Sequence, residues 1–204
     1  MIRRQSRWPL LLVAAGLVLL VVALIQAPRR DGPQGNLEGA AVGGDFALVD
    51  EDGRPVSHRS FAGRWRLMYF GYTFCPDVCP VDLGHLARGL AQFETEWPER
   101  ALKVQPLFVT VDPERDTPAV LKTFTAAFHP RLVGLTGTPE QVKATLATFR
   151  IHASRREGAT PGAYLMDHTA ALYLFDPEGR PVAFLAGPEA TPEAVRDLLA
   201  RFVR

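Results

Sequence analysis

Two apolar runs of strand length, Trp65-Arg66-Leu67-Met68-Tyr69-Phe70 and Leu107-Phe108-Val109-Thr110-Val111, are separated by a stretch with a different period. From Pro80 to about Trp97, Leu83, Leu86, Ala87, Leu90 and Phe93 recur at i, i+3 and i+4, the spacing of a helix with one buried face. A strand, a helix and a second buried strand in succession force a crossover, so the two strands run parallel and need cover on both faces.

The remaining elements extend this pattern. Phe46 to Val49 and Arg54 to Val56 flank Glu51-Asp52-Gly53 as a hairpin, a helix is expected from Pro118 to Phe128, and Leu132 to Leu135 reads as a short strand. Further helices open at Thr138-Pro139-Glu140 and Thr191-Pro192-Glu193, where threonine caps and proline takes the first helical position. Ala170 to Phe175 and Pro181 to Leu185 flank Asp176-Pro177-Glu178-Gly179 as a second hairpin. The order ββ, αβ, αβ, α, ββ, α describes an α/β domain of the thioredoxin-like class, a central mixed sheet flanked by helices.

Ahead of this domain, Leu10 to Ile25 carries no polar side chain and as a helix covers roughly 24 Å, nearly a bilayer core. A signal peptide competes with this reading, but Gln26-Ala27-Pro28-Arg29-Arg30 offers no small-x-small cleavage site. The expected organisation is a cytoplasmic N-terminus at 1–8, a transmembrane anchor at 9–27, a Gly- and Pro-rich linker at 28–44 and the folded domain at 45–204. Arg3, Arg4 and Arg7 keep the N-terminus inside, which places the domain beyond the membrane, and a bacterial inner membrane with the domain facing the periplasm fits best. Without the five arginines flanking the run and Asp31, 18 basic residues face 21 acidic ones. That balance excludes a nucleic-acid partner, which needs phosphate-neutralising charge.

The chain has 2 cysteines, Cys75 and Cys79, in Gly71-Tyr72-Thr73-Phe74-Cys75-Pro76-Asp77-Val78-Cys79-Pro80. Both sit where a strand passes into a helix, and helix N-terminal amides favour thiolates. Three readings compete. A structural disulfide closes too small a loop to remove much unfolded-state entropy. A redox dithiol usually has two intervening residues, and here there are three. Metal binding suits two convergent thiolates, which favour a soft ion such as Cu(I), while a third ligand is needed for a site that also tolerates Cu(II).

Imidazole is the natural third donor, and five histidines are available. His58 lies in the first hairpin, His85 is on the far side of the helix from Cys79, His129 ends a helix and His152 follows one, each reading as a surface residue. His168, in Asp167-His168-Thr169, directly precedes the Ala170 strand. In thioredoxin-like folds that entry faces the cysteine turn. Position alone leaves a hydrogen-bonding role equally open.

Four motifs in order, GYTFCPDVCP (71–80), VTVDPERDTP (109–118), LVGLTGTPEQV (132–142) and MDHTAALYLFDPEGR (166–180), resemble the Sco/SenC family of copper chaperones for cytochrome c oxidase assembly. The resemblance implies that Cys75, Cys79 and His168 are copper ligands, that copper passes to the dinuclear copper site of an oxidase subunit, and that a single N-terminal anchor holds the domain. It implies a metallochaperone rather than an enzyme, although thiol-disulfide oxidoreductase activity or a sensor role stays open. A redox disulfide between Cys75 and Cys79 would block loading, so a thiol reductant and an upstream copper donor are expected partners. Asp112 and Asp116 belong to the family pattern, but Asp116 or Thr117 also reads as a helix cap; Asp77 and Met166 read as a loop acid and a core side chain. Phe74 departs from relatives that carry a polar residue there.

Overall fold

The computed structural model describes residues 35–158 and 163–204. In chain order the strands are β1 (Gly35–Asn36), β2 (Ala47–Asp50), β3 (Pro55–Ser57), β4 (Trp65–Gly71), β5 (Val104–Thr110), β6 (Val133–Thr136), β7 (Ala153–Glu157), β8 (Tyr164–His168), β9 (Ala171–Phe175) and β10 (Pro181–Ala186). The helices are α1 (Val78–Glu96), the single turn α2 (Pro98–Ala101), α3 (Pro118–Ala126), α4 (Pro139–Thr148) and α5 (Pro192–Phe202). An 8-stranded mixed sheet runs β1-β10-β9-β4-β5-β6-β2-β3, and β7 pairs with β8 in a separate hairpin.

β4, β5 and β6 are parallel, joined by crossovers through α1 and α3. Both crossovers step the same way, so the right-handed rule puts both helices on one face. Side-chain alternation agrees: Tyr69 stacks on Phe108, which meets Phe124 of α3, while the next residue, Phe70, packs against Phe149 at the end of α4 on the opposite face. Every residue of β5 is buried, as its near-continuous apolar sequence requires of a central parallel strand. Pro106 is tolerated within it because β6 begins pairing only at Leu107, leaving the proline with one strand neighbour.

Thr117, Thr138 and Thr191 cap α3, α4 and α5, each followed by proline, as the sequence implied. α1 differs, since it starts at Val78 rather than Pro80 and Asp77 gives it no side-chain cap. Cys79 therefore lies inside the first helical turn, where amides have no intrahelical partner and proline at residue 80 costs little. At the other side of α1, a Cβ on Gly89 would stand 2.5 Å from the Pro192 carbonyl, so glycine there lets α5 pack closely.

Two features depart from the sequence reading. The segment expected as linker is part of the fold from Gly35, since β1 pairs with β10, Leu37 donates to the Val182 carbonyl and Gly43 to that of Thr148. Backbone pairing at the edge of a sheet needs no apolar periodicity and so leaves no trace in the hydrophobic pattern. The hairpin β7–β8 was also not anticipated, because Ala153 to Glu157 is polar and exposed on both sides. The expected cytoplasmic segment 1–8 and anchor 9–27 lie outside the described residues, and among those described no helix is long and apolar enough to cross a membrane.

Candidate metal centre

β4 ends at Gly71, and the chain turns through Tyr72 to Asp77 into α1. Along the other edge of β4, β9 runs antiparallel, with Tyr69 opposite Leu172 and Met68 opposite Tyr173. Antiparallel pairing sets the beginning of β9 beside the end of β4, so the residues just before Ala171 arrive at the cysteine turn. His168 is the last residue of β8, where it pairs with Ala153. It is thus held by a strand rather than lying in a loop, and the adjoining Thr169 exchanges hydrogen bonds with His152 at 3.0 and 3.1 Å.

The donor atoms of Cys75, Cys79 and His168 all lie within 4.8 Å of one another, and Cys79 Sγ is 3.3 Å from His168 Nε2. Nδ1 of the same ring is 3.2 Å from the Thr169 carbonyl oxygen. A carbonyl only accepts, so Nδ1 carries the ring proton and Nε2 presents a lone pair toward the sulfurs. Burial holds the His168 imidazole below the usual histidine range, favouring this neutral form. Tyr69 and Tyr72 meet the ring edge-to-face, at 6.4 and 5.9 Å between centroids, and fix its plane.

The two thiols differ. Cys79 is fully buried and Cys75 is partly exposed, and neither is in a disulfide. Burial pushes the Cys79 thiol up to about 12, with only a Tyr72 backbone hydrogen bond and the Tyr69 hydroxyl working the other way. Without metal Cys79 is therefore a neutral thiol facing a bare imidazole nitrogen. Two sulfurs and one imidazole nitrogen form a compact soft donor set, which suits copper and excludes ions that prefer oxygen ligands.

Asp112 and Asp116 are buried but belong to the framework. Asp116 accepts from the Thr73 hydroxyl at 2.6 Å, from its amide at 3.1 Å and from the Thr110 hydroxyl at 2.6 Å, tying the cysteine turn to β5. It leaves the cap of α3 to Thr117. Asp112 accepts from the Tyr164 hydroxyl at 2.9 Å and pairs with Arg115. Arg115 lies over the ring of Phe74, 4.8 Å from its centroid, and Phe74 is 55% exposed beside Cys75. Asp77 is exposed, and Met166 is half-buried against the core.

The other histidines lie away from the sulfurs. His58 pairs with Asp45. His129 is not the surface residue the sequence suggested: it is buried, faces Glu94 and accepts at Nδ1 from the Arg131 amide. Tyr69, whose ring meets His168, donates its hydroxyl to Asp82 at 3.0 Å, a contact absent from the sequence reading. The signal was present, since Asp82 follows Cys79 by three residues on one helix face and Tyr69 precedes Gly71 by two on one strand face.

The SCO1/SenC family model matches residues 34–204. Protein SCO2 homolog, mitochondrial, of Bos taurus is 43% identical over 172 residues, covering 82% of this chain and 64% of the bovine protein. Protein SenC of Rhodobacter capsulatus is 40% identical over 166 residues, covering 80% of this chain and 72% of SenC. The chain spans less than two thirds of the first mitochondrial relatives, 64% of the bovine and 56% of the Mus musculus SCO2 homolog. Among solved structures, Bradyrhizobium japonicum ScoI with copper bound aligns at TM-score 0.71 and 40% identity over 79% of this chain and 99% of that one. Arabidopsis thaliana ScoI with copper bound aligns at 0.73 and 35% over 79% and 97%. With the family model spanning the whole described domain, this chain belongs to the SCO1/SenC family.

Proposed function

We propose that this protein is a copper chaperone that holds one copper ion on Cys75, Cys79 and His168 and delivers it to the dinuclear copper site of cytochrome c oxidase during assembly. The observation that carries the reading is the convergence of two thiols and one bare imidazole nitrogen within 4.8 Å. The copper bound by the Bradyrhizobium japonicum and Arabidopsis thaliana relatives supports it. Loading releases the thiol protons as the sulfurs become ligands. Release proceeds by ligand exchange from the side of Cys75, the more exposed sulfur, while Cys79 and His168 keep their hold until the recipient's ligands engage.

A disulfide between Cys75 and Cys79 removes both thiolates, and two electrons and two protons from a thiol reductant restore the binding form. Loading is thereby gated by redox state and requires a reductant as well as an upstream copper donor. We place the domain outside the cytoplasmic membrane, with residues 9–27 as its anchor, on the strength of the apolar run and its flanking arginines.

The competing reading, a thiol-disulfide oxidoreductase, needs a thiolate nucleophile, and the elevation of the Cys79 thiol leaves only Cys75 for that role. Metal analysis of the reduced chain separates the two. The chaperone reading expects about one copper per chain, lost on Cys75→Ser, Cys79→Ser or His168→Ala. Retention unchanged in His168→Ala, or rapid protein disulfide exchange with no copper retained, would sink it. Membrane fractionation of the full chain tests the anchor.

A further inference from the structure

The hairpin that carries His168 has no place in the main sheet. Among the described residues β8 pairs only with β7, and the two form a sheet of their own. An isolated two-stranded hairpin is marginal in water, so its position depends on side chains that tie it to the body of the domain. At its open end the chain itself does this, through His152 and through Thr169, which leads into β9. Farther along β8 the tie is Tyr164, buried and on the same strand face as His168, since the two are four residues apart. The Tyr164 hydroxyl donates to Asp112 at 2.9 Å, and its backbone carbonyl accepts from Arg115 Nη1 at 3.0 Å. The Arg115 guanidinium stands 3.6 Å from the Tyr164 ring centroid and that of Arg155, from β7, stands 3.8 Å from it. Two guanidiniums so near one centroid cannot share a face, so the ring is clasped between them. Arg155 in turn reaches Glu114 at 3.6 Å, a second bridge from the hairpin to the loop before α3. Arg115 also meets the cysteine turn, 5.6 Å from the centroid of Tyr72 and 4.8 Å from that of Phe74.

We propose that Arg115 and Tyr164 are positioning residues, a latch that holds the β7–β8 hairpin against the domain so that the His168 imidazole reaches copper on Cys75 and Cys79. The inference rests on the copper reading above and deepens it by naming what presents the third ligand. Arg115 touches both halves of the site: the turn that carries the sulfurs, through Tyr72 and Phe74, and the strand that carries the nitrogen, through Tyr164. A hairpin released at Tyr164 pivots about its open end, and every side chain on its inner face turns with it. A ligand has to be held to within about 0.5 Å of its bonding position. His168 then swings Nε2 off the ion, while the sulfurs keep their places at the cysteine turn and the start of α1. Two thiolates still satisfy Cu(I), whereas Cu(II) draws on the imidazole, so the loss falls mainly on Cu(II). Arginine is required at 115 because its planar fork stacks on the ring and bonds the Tyr164 carbonyl at once, which a lysine ammonium cannot do.

Two variants open the latch from opposite sides. Arg115→Lys keeps a positive charge beside Asp112 and loses the fork; Tyr164→Leu loses the clasped ring and its hydroxyl while Asp112 keeps Arg115. Thermal unfolding checks that each is folded, and either one alone decides the question. In the reduced, metal-free full-length chain, amide hydrogen exchange along β7 and β8 is expected to quicken relative to α5. In the chain loaded with Cu(II), the imidazole nitrogen coupling in the electron paramagnetic resonance spectrum is expected to fade. Cu(II) affinity falls by about tenfold, the lower end of what losing a ligand's outer support costs a metal site, and Cu(I) affinity changes less. In a His168→Ala background the same substitutions leave Cu(II) affinity where it is, because the ligand they place is gone. Folded variants with unchanged exchange and nitrogen coupling, or an equal loss of Cu(II) affinity with and without His168, overturn the latch and leave the chaperone reading intact. A wild-type chain that retains no copper overturns both.

Discussion

Cys79 Sγ and His168 Nε2 stand 3.3 Å apart although 89 residues separate them in the chain. The contact exists because β9 is antiparallel to β4, which returns the chain to the point where β4 hands over to the cysteine turn. The sulfur is presented by the first turn of a helix and the nitrogen by the end of a strand. Neither depends on a loop finding its own conformation, so the site is preorganised for an ion.

The asymmetry of the two thiols predicts an order of modification. Cys75 is partly exposed and Cys79 fully buried. Iodoacetamide under native conditions should alkylate Cys75 first, with Cys79 reacting only on unfolding. Peptide mass spectrometry of a time course checks this, and equal rates would contradict the burial seen here.

Gly71 should not accept even one methyl group. A Cβ there would stand 2.8 Å from Tyr69, 3.0 Å from the Cys79 sulfur and 3.2 Å from Phe108, in a part of the core that cannot yield cheaply. Gly71→Ala is expected to destabilise the domain by about 1–3 kcal/mol, as overpacking does. It should also weaken copper binding by displacing Cys79. Denaturant unfolding and copper competition measure the two effects.

Asp116 holds the cysteine turn to β5 through Thr73 and Thr110. In Asp116→Ala the Thr73 amide and two threonine hydroxyls lose their acceptor, at a cost of about 1–3 kcal/mol for each group left buried and unpaired. Thermal unfolding should show the loss. Faster hydrogen exchange is expected at Thr73 and along the turn than at α5, and uniform exchange across both would refute the local role.

The elevated Cys79 thiol makes two pH predictions. Because burial raises it from its ordinary value near 9 to about 12, the folded chain keeps a proton that the unfolded chain gives up in that window. Stability of the metal-free protein therefore falls as pH rises from about 9 to about 12. Cys79→Ala should flatten that part of the profile in a melting-temperature series. Copper binding has the opposite slope, since ligation expels thiol protons and apparent affinity must rise with pH. Chelator competition at several pH values checks that sign.

How much of this was legible in the chain depends on the range of the interaction. Helix starts at Thr117, Thr138 and Thr191, the buried strands β4 and β5 and the hairpin β9–β10 follow from neighbours a few residues apart, and so they could be read directly. β7 could not, because a polar, largely exposed strand carries no hydrophobic alternation to detect, and without it the more buried β8 had no visible partner. His129 looked like a surface residue because the side chain it faces, Glu94, comes from the end of α1, far along the chain.

For the site itself, the sequence alone determined that two thiols leave a strand together and enter a helix, since strand, turn and helix are each encoded locally. Motif order then pointed to His168 by resemblance. Only the tertiary structure decided that this imidazole meets the sulfurs, with Nε2 bare and Nδ1 engaged, and that Tyr69 and Asp82 lie beneath them. Spacing along a chain fixes which residues share a helix or strand face, but distance between elements is set by sheet register and burial, which exist only once the whole core has assembled.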